Sequence, residues 1–145
     1  MKNQILEDLK NAMKNKEKEK LSVIRMLKGA IQMEELDKKR ELTDDEILGV
    51  VVKQIKSRND SITEFKKADR EDLISKTQSE INILNTYLPV QLTDDEAFEI
   101  IEEAFDKVKP LSNKDMGKIM KEISPKLKGK YDMAKASSII KEKLN

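Results

Sequence analysis

The chain has 145 residues, 37% hydrophobic and 39% charged, with 29 basic and 28 acidic side chains for a formal net charge of +1. That length suits one ordinary domain or two small ones, and having neither cysteine nor histidine excludes disulfides, thiolate metal sites, cysteine nucleophiles and imidazole proton transfer. No apolar run is long enough to span a bilayer and Met1-Lys2-Asn3-Gln4-Ile5 lacks a secretory pattern, so the expectation is a cytoplasmic protein that does not contact membranes.

Four glycines, three prolines and 3% aromatic residues give strands little support, and the apolar residues recur with helical spacing. A first helix is expected from about Asn3 to Lys14, with Ile5, Leu6, Leu9, Ala12 and Met13 inward. The charged stretch 15–20 either breaks that helix or opens a second. The second carries Leu21, Val23, Ile24, Met26, Leu27, Ala30, Ile31 and Met33, a stripe wide enough to touch more than one neighbour. Leu42-Thr43-Asp44-Asp45-Glu46 then sets Thr at N-cap, acids in the first turn and Glu at N3, the capping-box pattern. The helix it opens runs to about Ala68 with Leu48, Val51, Val52, Ile55, Ile62 and Phe65 inward. Its Lys53, Lys56, Arg58, Asp60 and Glu64 read as a solvated face with a Lys56–Asp60 pair. A fourth helix follows from about Arg70 to Leu88, with Leu73, Ile74, Thr77, Ile81, Leu84 and Leu88 inward, and Pro89 stops it.

The segment 87–92 is the best boundary, dividing an N-terminal four-helix part, residues 1–90, from a C-terminal part, 91–145. The latter reopens on the same pentapeptide, Leu92-Thr93-Asp94-Asp95-Glu96, and reads as three helices, about Thr93 to Lys109, Ser112 to Ser124 and Asp132 to Leu144, separated by Pro110 and Pro125. The expected class is therefore all-α, in two helical bundles. The acid pairs Asp44-Asp45 and Asp94-Asp95 read as capping rather than as metal or catalytic carboxylates, and the seven methionines as core gap-fillers.

Charge is unevenly spread: residues 1–105 hold 18 basic and 23 acidic side chains, and residues 106–145 hold 11 and 5. Two features of the tail stand out. Asp115-Met116-Gly117-Lys118 puts a glycine in the first turn of a helix, a cost of about 1 kcal/mol relative to alanine that a close neighbouring helix or a ligand backbone would offset. Lys126-Leu127-Lys128-Gly129-Lys130 is a basic loop just before a helix start, where ammonium groups and unpaired amides together can hold a phosphate.

Taken in order, Lys53-Gln54, Arg58, Asp60-Ser61, Phe65, Ala68, Arg70, Asp72-Leu73, Glu80-Ile81, Tyr87-Leu88-Pro89, Gln91-Leu92, Asp115-Met116-Gly117-Lys118, Met120 and Lys128-Gly129-Lys130 resemble the GatB/YqeY family over nearly the whole chain. That family usually has glycine where Asp69 stands, and a small residue where Tyr131 precedes Asp132. The resemblance implies two helical bundles and a module that elsewhere forms the tail of the B subunit of the glutamine-dependent aminoacyl-tRNA amidotransferase or is appended to glutaminyl-tRNA synthetases, lying against tRNA. It implies no active site, no metal and no cofactor, since the amidotransferase chemistry belongs to other domains.

The expected function is a tRNA-associated accessory protein, linked to tRNA amidation or aminoacylation, that binds phosphates through Gly117, Lys118, Lys121, Lys126, Lys128, Gly129 and Lys130. These residues are expected around one mouth of the last bundle. The rivals are a protein-interaction module docking on an amidotransferase or aminoacyl-tRNA synthetase and, more remotely, a carbon–nitrogen ligase using glutamine as amido donor.

Overall fold

The computed structural model describes residues 1–144 and is 80% helical. Seven α-helices are described: α1 Lys2–Lys14, α2 Lys18–Lys38, α3 Asp44–Lys67, α4 Glu71–Asn85, α5 Asp94–Val108, α6 Met116–Leu127 and α7 Met133–Leu144, with a 3₁₀ turn at Asn113–Asp115 before α6. There is no strand among the described residues, so the all-α expectation holds. The chain divides into two compact units, one of Met1–Leu88 and one beginning at Pro89.

Helix starts follow the capping chemistry. Thr43 and Thr93 each accept at Oγ1 from the amide of the glutamate three residues on, and Glu46 and Glu96 reach back to the threonine amides. Three helix ends in the first unit are made without glycine. Lys16, Lys39 and Asp69 take left-handed φ values of 58°, 57° and 53°, and after each the chain closes in one pattern, with Glu17, Arg40 and Arg70 donating to the carbonyls of Ala12, Glu35 and Phe65. This is the Schellman closure, in which the residue that turns is usually glycine. The charged stretch 15–20 thus both breaks α1 and opens α2. At the end of α4 the amides of Thr86, Tyr87 and Leu88 bond three residues back, a tightened last turn ahead of Pro89.

In the first unit Ile5, Ile24, Leu27, Ile47, Val51 and Leu84 are at most 1% exposed and form the core, with Val23 and Ile31 beside them. Polar ties fasten its rim. Lys2 Nζ binds Glu35 at 2.9 and 3.0 Å, Glu35 accepts from the Leu42 amide, and the Tyr87 hydroxyl donates to Asp8 at 2.6 Å. Four expectations fail here. Arg58 leaves the solvated face: it is 7% exposed and donates to Glu80, to the side chain and carbonyl of Gln54, and to Met26 Sδ. Its long stem packs inward while its fork finds acceptors on α3 and α4. Lys56 and Asp60 form no ion pair among the described residues, and Val52 is 38% exposed while Ile47 and Val50 are buried in its stead. The methionines do not fill the cores: Met13, Met26 and Met33 are more than half exposed and the other four only half-buried. Isoleucine, leucine and valine occupy those places, stiffer side chains that specify one packing.

The second unit packs Ala97, Ile101 and Ala104 of α5 against Ile119, Ile123 and Leu127 of α6 and Ala136 and Ile140 of α7, all at most 2% exposed. Pro125 does not separate helices; it lies inside α6, which continues to Leu127. In the final turn proline forfeits a single hydrogen bond, to Lys121, and Lys128 still donates to the Ser124 carbonyl at 2.9 Å.

Candidate nucleic-acid interface

α6 buries Ile119, Ile123 and Leu127, so at 100° per residue Lys118, Lys121 and Pro125 fall on its opposite, solvent-facing side. Lys126 is exposed on a flank, and Lys128 and Lys130 are exposed just beyond the helix end. From Lys118 to Lys128 the rise is about 15 Å. Lys118 and Lys121 therefore form a ridge on the solvent side of α6, with Lys126 about 140° round the helix from Lys121, and the expected gathering around one mouth is corrected. The 128–131 loop leaves the C-terminal end of α6 while Ser112 precedes its N-terminal end, so the helix itself holds the two segments apart.

At the N-terminal end, Asp115 accepts from the Leu111 amide at 2.8 Å and pairs with Lys118 at 3.6 Å. The Leu111 amide and, after it, Lys118 hold the Asp115 carboxyl below the usual range. Gly117 is exposed, and a Cβ added there would have nothing within 4 Å, so within the chain no close helix approach explains this glycine. Farther along, Lys107 pairs with Glu122 at 2.8 Å and, with Lys126, holds that carboxyl low. Lys121, Lys126, Lys128 and Lys130 form no ion pair among the described residues.

The 128–130 loop has a structural task that its sequence did not announce. Gly129 is buried at φ 75°, its carbonyl accepts from Gln91 Nε2 at 2.7 Å, and the Lys130 carbonyl accepts from the Leu92 amide at 2.8 Å. Gly129 thereby docks the segment that opens the unit. The following helix start is already occupied: Asp132 Oδ1 accepts from the amides of Ala134 and Lys135 at 2.9 and 3.4 Å. Phosphate capture by those amides is thus withdrawn, because the chain supplies its own anion there. The loop also lies beside acidic residues of α5. The Tyr131 hydroxyl donates to Asp94 Oδ1 at 2.6 Å, which pushes the phenol up to about 12 and holds the carboxyl low, and Lys135 pairs with the same oxygen at 3.4 Å.

Charge within the unit is segregated by element. Residues 94–108, which form α5, carry seven acidic side chains and one basic, whereas residues 109–145 carry four acidic and ten basic. What remains on the surface is a row of ammonium groups that can neutralise phosphates without selecting bases.

A family model described as Yqey-like protein matches residues 2–144. Among curated proteins, "Altered inheritance of mitochondria protein 41, mitochondrial" of Pyrenophora tritici-repentis is 32% identical over 126 residues, covering 85% of this chain and 68% of that protein. The protein of the same name from Kluyveromyces lactis is 42% identical over 88 residues, 58% of this chain and 48% of its own length. An uncharacterised Schizosaccharomyces pombe protein is 34% identical over 85 residues, 59% and 69% respectively. The chain thus spans about half the length of several curated relatives it matches. Their names overturn the cytoplasmic expectation, since they are mitochondrial proteins. A chain without cysteine suits the mitochondrial matrix as well as the cytosol.

Proposed function

The chain belongs to the YqeY-like family, and from that footing we propose that it is a tRNA-associated accessory protein that touches phosphates with the α6 ridge and the loop after it. The carrying observation is the exposed row Lys118, Lys121, Lys126, Lys128 and Lys130 along α6 and the loop after it, in a unit whose acids collect on α5. Gly117 adds bare backbone beside that row, room for a sugar–phosphate chain to come close. Gly129 acts at one remove, by holding the loop's shape. The link to tRNA amidation or aminoacylation rests on the likeness of this module to the amidotransferase tail.

The test is tRNA affinity by fluorescence anisotropy across a salt series. With roughly three to five phosphates neutralised, log affinity against log salt should fall with a slope of magnitude about 3 to 4. Reversing Lys126, Lys128 and Lys130 to glutamate should lower affinity strongly and cut that slope, with an unchanged circular dichroism spectrum. A folded variant that binds as tightly as its parent, or a parent that fails to bind at about 50 mM salt, sinks the proposal in favour of protein docking.

A further inference from the structure

α2 and α4 pack against each other in the first unit and leave a groove of about 520 Å³, within the size range of sites that take a small molecule. α2 lines it with Lys18, Glu19 and Ser22, and α4 with Ser75, Lys76, Ser79 and Glu80. Every one of these side chains is polar, and the fold leaves most of them unused. Ser61 and Ser138 donate to the carbonyl four residues back, a common way for a helix to satisfy a hydroxyl. Ser22, Ser75 and Ser79 form no hydrogen bond among the described residues, and Lys18, Glu19 and Lys76 form no ion pair there. Glu80 alone is tied: its Oε1 accepts from Nε of Arg58 at 3.3 Å, which leaves its other oxygen for a further donor.

We propose that this groove binds a phosphorylated sugar. Two ammonium groups without a counter-charge and three hydroxyls without a partner supply donors from both walls for a phosphoryl oxyanion. Residues 10–20, which run into the groove at Lys18, hold five lysines against two glutamates. The two carboxylates can only accept, so the ligand brings hydroxyls of its own besides its charge. A bare anion would be repelled by Glu19 and Glu80, and a neutral sugar would leave Lys18 and Lys76 unanswered. A nucleobase finds no ring to stack on. A free sugar phosphate and the ribose phosphate of an RNA backbone share this chemistry.

Amide chemical shifts of the full chain, followed as ribose 5-phosphate is added at physiological salt, test it. Ser22, Ser75 and Ser79 should shift together and saturate with a dissociation constant of about 1 mM, and ribose or inorganic phosphate should bind at least about tenfold more weakly. Lys18→Ala with Lys76→Ala should weaken binding at least about tenfold and leave the dichroism spectrum unchanged, because both side chains are exposed. Lys10→Ala with Lys14→Ala removes the same charge outside the groove, and with salt screening it should alter affinity by less than about twofold. Reversing Lys126, Lys128 and Lys130 should leave this binding intact, so the groove and the α6 ridge are tested apart. tRNA that moves the same three amides, and is displaced by ribose 5-phosphate, makes an RNA backbone the source; tRNA that spares them makes it a free sugar phosphate. No saturable shift at these amides by about 10 mM, inorganic phosphate binding as tightly as ribose 5-phosphate, or equal effects of the two lysine pairs overturns the proposal.

Discussion

At position 69 a side chain sits where backbone geometry prefers none. Asp69 closes α3 at φ 53°, a conformation that disfavours a Cβ by about 1–2 kcal/mol, although aspartate bears it better than most. That accounts for the glycine usual there in similar sequences. Asp69→Gly should stabilise the chain by about 0.5 kcal/mol after the extra freedom of the unfolded glycine is subtracted, read as a higher urea midpoint. Arg58 presents the opposite case, a charge held inside by four acceptors. Replacing it with leucine strands Glu80 and Gln54 in a half-buried place and should cost about 2 kcal/mol in the same titration.

At the scale of elements, the ends expected near Lys14, Ala68 and Lys109 fall within a residue of those of α1, α3 and α5, whereas α6 starts at Met116 instead of Ser112 and runs past Pro125. The repeated Leu-Thr-Asp-Asp-Glu announced α3 and α5 because a capping box is written in consecutive residues. Thr93→Ala should lower stability by about 1 kcal/mol and Thr93→Ser by much less, measured by thermal denaturation. The stops lacked their usual glycine, since Lys16, Lys39, Asp69 and Lys109 make the left-handed turns, and Pro125 pointed to a break that its place in a last turn made needless. The lysine ridge was legible as charge. Its surroundings were legible only in part: Asp115 with Lys118 and Asp132 with the amides of Ala134 and Lys135 are local spacings, whereas Asp94 meets Tyr131 only when the chain folds.

Across the whole molecule, carboxylates are held low by partners that exist only when the chain is folded: Glu46 by Arg40 and Lys38, Glu35 by Lys2, Asp94 by Tyr131 and Glu122 by Lys107. Their folded values lie below their unfolded ones, so the stability they lend is complete above the ordinary carboxylate range and is lost as pH falls through it. The melting temperature should hold between about pH 6 and 8 and drop steadily from about pH 5 to 3. Tyr131, raised to about 12 by its bond to Asp94, works in the opposite sense, and what it lends is lost as pH climbs from about 10 through that value.

The second unit has a consequence of its own. With its acids on α5 and its bases on α6, α7 and the segments around them, it holds equal numbers of each from Pro89 onward, and so acts in an external field as a permanent dipole. A polyanion exerts little net pull on such a body and a strong torque, turning the α6 ridge inward before contact. The gain lies in the fraction of encounters that arrive correctly oriented. Neutralising α5 would add attraction while discarding that aim.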